Sequence, residues 1–214
     1  TLHKATSQLR YATWRPNGTI ILGTADFGLA SVSSQGSEPA VFLQPDSTDE
    51  GVHLDGIAVL PDGETVVLAR HNGDGTSDLL IVNGDIHRTL VHSNRGEALY
   101  FPAYAPSGHI LYQRRGSGES NIWALPFDAP GLETTGESFI VAQEAVDPSV
   151  SLDGTLVYLS ELAGGERQLV WADREGRVTG TIGQPQEGMF SPSLSPDDRQ
   201  VAVAASEQGN TDIW

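Results

Sequence analysis

One short motif recurs five times along this 214-residue chain at almost constant spacing. It reads "WRPNGTIIL" at 14–22, "VLPDGETVVLA" at 59–69, "YAPSGHILY" at 104–112, "VSLDGTLVYLS" at 150–160 and "LSPDDRQVAVA" at 194–204. Its fixed position falls at Gly18, Gly63, Gly108, Gly154 and Asp198, in steps of 45, 45, 46 and 44 residues. Self-similarity at such a period is the signature of a repeat architecture. Each copy also has a local logic. Pro fixes φ, Asp or Asn bonds its own backbone, and Gly accepts a positive φ, so each copy marks a tight turn between two strands. The expected turns are 16–18, 61–63, 106–108, 152–154 and 196–198.

A second motif follows the marker by 11 to 15 residues: "TSDLLIV" at 76–82, "ESNIWAL" at 119–125, "ERQLVWA" at 166–172 and "NTDIW" at 210–214. A weaker apolar run comes next at 39–43, 86–91, 138–142 and 177–182. Four short strands, a to d, per repeat match the blade of a β-propeller. The expected fold is therefore all-β, a β-propeller of four-stranded antiparallel blades at about 9–54, 55–97, 98–146 and 147–190, with an incomplete blade at 191–214. Residues 1–214 read as a single propeller segment of about 4.5 blades, a section of a six- to eight-bladed ring. The rival is a closed five-bladed ring in which residues 2–8 supply the missing outer strand.

Composition agrees with this and narrows the partners. The 24 Gly and 12 Pro punctuate short apolar runs, with hardly a segment keeping a helical period. The formal charge is −16, and Lys4 is the sole lysine. Such a surface repels phosphate backbones and anionic bilayers, so neither nucleic acid nor direct membrane contact is expected. Acidic excess with almost no lysine suits a salt-rich environment, and a high-GC genome equally well. Without cysteine, disulfides, thiolate metal sites and Cys nucleophiles are excluded.

The copy "SPDDRQVAVAASEQGNTDIW" resembles the PD40, or WD40-like, repeat of TolB-type propellers, and the five copies extend that likeness over nearly the whole chain. The stretch "ALPFDAPGLETTGE" is similar to one in the propellers that follow kinase or winged-helix domains in large bacterial regulatory proteins. Asp198 departs from the usual Gly. The resemblance implies a non-catalytic binding or sensing module without a cofactor, flanked by other domains of the same polypeptide, on the periplasmic or extracytoplasmic side.

Several motifs invite a chemical reading and are explained by turns. "DFG" at 26–28 precedes "HR" at 87–88, the reverse of the kinase order, and Thr89 stands where the catalytic Asp belongs. Asn72, Asp74 and Asp78 offer oxygens as in a calcium loop, but no bidentate Glu follows, and Asn-Gly with Asp-Gly makes a hairpin turn. No other metal site is expected: His87 and His92, five apart on a strand, face opposite sides. The hydrolase pattern G-x-S-x-G is absent, and the sequon "NGT" at 17–19 coincides with a turn. Trp123, Trp171 and Trp214 occupy equivalent places in strand c and are expected in inter-blade core, as is Trp14.

One constellation exceeds the structural account. The b-to-c and d-to-a loops of a propeller share a face, and there this acidic chain places His53, Asp55, Arg70, His71, Arg95, Tyr100, Arg114 and Arg115. If Arg70, Arg114 and Arg115 gather, the face suits an anionic small ligand or an acidic segment of a protein partner. The leading functional reading is a binding module in a regulatory protein. The alternative is the gating propeller of a prolyl-oligopeptidase-like hydrolase whose catalytic domain lies elsewhere. A propeller glycosidase using Asp55 and Asp147 ranks last, because the two acids fall in non-adjacent blades.

Overall fold

The computed structural model describes residues 9–24, 28–44, 52–162, 165–173, 176–194, 199–207 and 210–213. Among them there is no helix. The strands form five antiparallel sheets, each a meander in which neighbours in sequence are neighbours in space. The first holds β1 (Leu9–Trp14), β2 (Thr19–Thr24), β3 (Gly28–Ser33) and β4 (Ala40–Leu43); the second holds β5 (His53–Val59), β6 (Val66–His71), β7 (Ser77–Asn83) and β8 (Ile86–His92). The third contains β9 (Ala98–Ala105), β10 (His109–Arg115) and β11 (Ser120–Asp128), with β12 (Glu133–Thr134) and β13 (Phe139–Ala142) both on β11. The fourth contains β14 (Ala145–Val150), β15 (Leu156–Glu161), β16 (Arg167–Ala172) and β17 (Val178–Gln186). The fifth has β18 (Met189–Leu194), β19 (Val201–Glu207) and β20 (Asn210–Ile213).

The turn markers do what their chemistry demands. Gly18, Gly63, Gly108 and Gly154 all have positive φ, between 75° and 90°. At the second marker Gly63 N–H donates to Leu60 C=O at 2.9 Å, while Asp62 accepts from the backbone N–H of Glu64 and Thr65. Asn17 and Asp153 accept in the same way from the N–H of Thr19 and Thr155. The expected turn at 196–198 lies outside the described residues, as does Trp214. Strands β5, β14 and β18 begin at His53, Ala145 and Met189, two residues ahead of the expected boundaries at 55, 147 and 191. The two-residue strand β12 has no counterpart in the repeat and comes from the longer segment after Asp128.

The chain packs as two compact units, residues 1–102 and 103–214. In the first, Ile21 and Leu29 of one sheet meet Leu54, Val66, Leu68 and Val82 of the next. In the second, the fourth sheet is covered on both faces. Leu156, Tyr158, Val170 and Ala172 pack towards the third sheet, and the intervening Val157, Leu159 and Leu169 pack towards Met189, Val203 and Ala205 of the fifth. The period-2 alternation of a strand thus serves two neighbours, so β15 and β16 are apolar on both sides. Each such Val or Leu contributes about 1.5–3 kcal/mol through burial. Strands β8 and β17 are largely exposed. Trp171 packs against the core between the fourth and fifth sheets, as expected. Trp14 does not: 60% of its surface is exposed, because it stands at the last position of β1, where the chain is already entering the turn.

Strand a carries a device absent from the sequence reading. β5, β14 and β18 each contain a bulge. At the matching position of four successive repeats stand Gly56 (φ 68°), Phe101 (φ 47°), Asp147 (φ 53°) and Ser191 (φ 51°). A bulge of this kind inserts one residue and changes which partner each residue faces.

Candidate binding site on the second sheet

Strand β5 opens with His53, Leu54 and Asp55, so His53 and Asp55 share one face of the sheet. From Val59 to Ile57 the pairing with β6 keeps one register, which, continued, would set Asn72 opposite His53. The bulge at Gly56 shifts it by one residue and places His71 there instead. Gly is required at 56 on two counts. Its φ is positive, and a Cβ would stand 2.8 Å from the Cα of Phe101.

Three side chains consequently converge at this strand end. Asp55 Oδ2 lies 3.4 Å from His53 Nε2 and 3.2 Å from His71 Nε2. The two imidazoles are stacked, with centroids 4.5 Å apart and planes 8° from parallel, and the Tyr100 ring covers His71 at 4.6 Å. His71 is buried and its Nδ1 lies 3.1 Å from the hydroxyl of Ser77, its cross-strand partner. Ser77 is held in turn by its N–H donating to Ser93 Oγ at 2.7 Å. Nε2 of His71 is buried without a hydrogen-bond partner.

The opposite face of the same strands carries a separate polar network. Asp78 is buried and accepts from Arg70 Nη2 at 2.8 Å and Asn72 Nδ2 at 3.0 Å, and meets His92 Nδ1 at 2.7 Å. Burial alone pushes this carboxyl upward, but the bonds from Asn72, His92 and Arg70, with the Arg70 charge, outweigh it and hold Asp78 below the usual carboxylate range. Asp74 accepts from both the N–H and hydroxyl of Thr76. Of the would-be calcium ligands, Asp74 is thereby engaged in the turn with Thr76, and Asp78 with Arg70, Asn72 and His92.

The expected residues therefore fall into groups. His53, Asp55, His71 and Tyr100 come together. Arg70 does not join them: as the strand neighbour of His71 it faces the other way and is paired with Asp78. Arg95 lies in the loop after β8, against Gly75. Arg114 and Arg115 lie at the end of β10 rather than in a turn, and being consecutive on a strand they point to opposite faces. Arg114 sits over the Trp123 ring at 5.2 Å. Alternation thus separates Arg70 from His71 and Arg114 from Arg115.

The other strand-a acid, Asp147, has a different task. Its carboxylate is buried and accepts the N–H of Ser191, the bulge residue of the following sheet, at 2.9 Å, while its own N–H donates to Gln113 Oε1. Burial raises its pKa, partly opposed by the Ser191 bond and by the charge of Arg167. This is a structural acceptor between repeats, not a solvent-facing acid.

No family model matches the chain, and no curated protein matches it. Solved structures do. Regucalcin from Agrobacterium tumefaciens, described as a calcium-binding protein, superposes with a TM-score of 0.74 at 12% identity, over 98% of this chain and 72% of its own. TolB from Acinetobacter baumannii gives 0.61 at 15% identity, over 97% of this chain and 60% of its own. A prolyl endopeptidase gives 0.62 at 13%, over 95% of this chain and 35% of its own. Likeness at this level of identity speaks for the fold: the protein is an all-β propeller of several blades.

Proposed function

We propose that this propeller is a non-catalytic binding or sensing module of the PD40, TolB-like type, serving within a larger bacterial regulatory protein and engaging a protein segment or small ligand at the strand-end face of its second sheet. The observation that carries this reading is the convergence of His53, Asp55, His71 and Tyr100 at one strand end. Loop charges that only solvate a surface do not bury a histidine with an unpartnered nitrogen. The bare acidic partner suggested by a shared arginine patch loses its reason, since Arg70 is already neutralised by Asp78.

The test has two arms. Metal-free protein is screened by thermal shift against short acidic, neutral and basic peptides and small carboxylic acids, with Tyr100→Ala alongside. A stabilising ligand whose effect is lost in the variant supports the reading. Turnover of a lactone or a prolyl peptide ester by the same protein overturns it. The sequence encoded on either side of these residues separates the alternatives: a kinase or winged-helix domain favours the sensing module, a G-x-S-x-G domain the gating propeller.

A further inference from the structure

We infer that His53, Asp55 and His71 form a binding site for a divalent first-row transition-metal ion of the zinc class. The inference deepens the reading of this strand end as a binding site and rests on it.

Three observations carry it. The first is the donor set and its spacing. Two imidazole nitrogens and one carboxylate oxygen lie within 4.8 Å of one another. A tetrahedral ion with bonds of about 2.0–2.1 Å to His N and Asp O holds its ligands about 3.3 Å apart. The Asp55 to His53 and Asp55 to His71 separations of 3.4 and 3.2 Å match that edge. Calcium, which takes six to eight oxygens, does not fit two imidazoles and one carboxylate.

The second is the state of His71. Its Nε2 is buried, has no hydrogen-bond partner and lies 3.2 Å from the Asp55 carboxylate. When Nδ1–H donates to Ser77 Oγ, Nε2 turns a lone pair towards a carboxylate, which leaves two electron-rich atoms facing each other. In the other tautomer Nε2–H is too poorly aligned to bond Asp55. A cation between them resolves both cases. The third is the support behind the ligand. Ser77, itself buried and fixed through Ser93, holds the far nitrogen of His71 as the outer partner of a metal-bound histidine does. Tyr100 walls the buried side.

The stack of the two imidazoles describes the arrangement without metal. An ion lies in the plane of each ring that binds it, so one ring must turn. His53 is the one able to, since 41% of its side chain is exposed whereas His71 is enclosed. One site remains on the ion for water or a donor atom of a ligand, which is how a module of this kind would recognise a carboxylate or an imidazole.

The test uses the 214-residue chain freed of metal by chelator, titrated with zinc by calorimetry and with cobalt(II) by visible absorption. One equivalent of zinc binds saturably, and cobalt gives the intense d–d bands of a four-coordinate ion. Asp55→Asn and His71→Ala each weaken zinc binding by a hundredfold or more and abolish the bands. Ser77→Ala weakens it by about tenfold, the usual effect of an outer partner. His109→Ala, on another sheet, changes nothing. His53→Ala, at a half-exposed position, keeps the inference testable if His71→Ala does not fold. Absence of saturable binding in the wild type, or bands undiminished by Asp55→Asn and His53→Ala, overturns the metal site. The peptide and acid screen on metal-free protein is unaffected by that failure, so the two readings fail separately.

Discussion

Two strand-a carboxylates, Asp55 and Asp147, stand one residue apart in the frame of the repeat, and that single step separates two uses of the same chemistry. Asp147 occupies the bulge position itself, the place of Gly56, Phe101 and Ser191 in the other repeats. There its carboxylate is buried and answers a backbone N–H that the next sheet's bulge leaves without a ladder partner. Asp55 precedes the bulge position, as Tyr100 does in the next repeat, and meets two histidines at a half-buried strand end. A shift of one residue on a strand exchanges faces. In this molecule it exchanges a structural acceptor for a candidate ligand.

The bulge is the common support of both arrangements, so breaking it has the largest effect. Gly56→Ala places a methyl group 2.8 Å from the Phe101 Cα at a φ of 68°, and neither backbone moves without disturbing β5 and β9. A loss of about 3 kcal/mol is expected, measured as a fall in the urea midpoint at unchanged slope. The substitution also releases the register that sets His71 opposite His53, so zinc binding falls with it. A variant as stable as wild type, with zinc binding intact, breaks the comparison, since the bulge would then fix neither the fold nor the site.

The next effect separates the two acids. Asp147→Ala removes the acceptor of the part-buried Ser191 N–H bond and costs about 1.5 kcal/mol, whereas Asp147→Asn keeps an acceptor oxygen and costs less than about 0.5 kcal/mol. Asp55→Asn in metal-free protein is expected to cost less than Asp147→Ala, about 1 kcal/mol or below, because Asp55 meets the side chains of His53 and His71 at a half-buried strand end and Asn keeps an oxygen facing them. Chemical denaturation of the three variants checks this order. Equal losses for Asp55→Asn and Asp147→Ala remove the distinction between ligand and scaffold.

The repeat made the architecture legible because its turns are chemically explicit. Pro-Asp-Gly at 61–63 admits few conformations, and the strand order follows once the turns are placed. Strand c at 77–83, 120–128 and 167–172 lies where its motif puts it. The site was legible in membership and not in grouping. His53, Asp55, His71 and Tyr100 stood among the eight named residues, yet Arg70 and Arg114 were grouped with them by loop, when alternation sends consecutive residues to opposite faces. The signal that finds the cluster is "HLD" at 53–55, two side chains on one face, together with a histidine at the end of the paired strand. Its register still depends on a bulge that a single Gly marks only weakly. Trp14 misled for a related reason: an aromatic at a strand end next to a turn is not held by the alternation that buries the middle of the strand.

The smallest effect concerns pH, and it sharpens the contrast between a carboxyl governed by its burial and one governed by its hydrogen bonds. In the unfolded chain both Asp147 and Asp78 titrate near about 3.9. The folded pKa of Asp147 is raised by burial, so between about 3.9 and that raised value the folded protein keeps a proton the unfolded chain has released. Stability from this group therefore falls as pH rises through that window. Asp78 has the opposite sign: burial is outweighed by the bonds from Asn72, His92 and Arg70, and its folded pKa is lowered. Its contribution is complete above about pH 3.9 and is lost as pH falls towards the folded value. Urea midpoints measured at pH steps on both sides of 4 test the pair. Asp147→Asn is expected to remove a decline on the alkaline side, and Asp78→Asn a decline on the acid side. If Asp147→Asn instead leaves the alkaline slope unchanged, the carboxylate that receives the Ser191 N–H is as well solvated as the one at the histidine cluster, and burial no longer distinguishes the two strand-a acids.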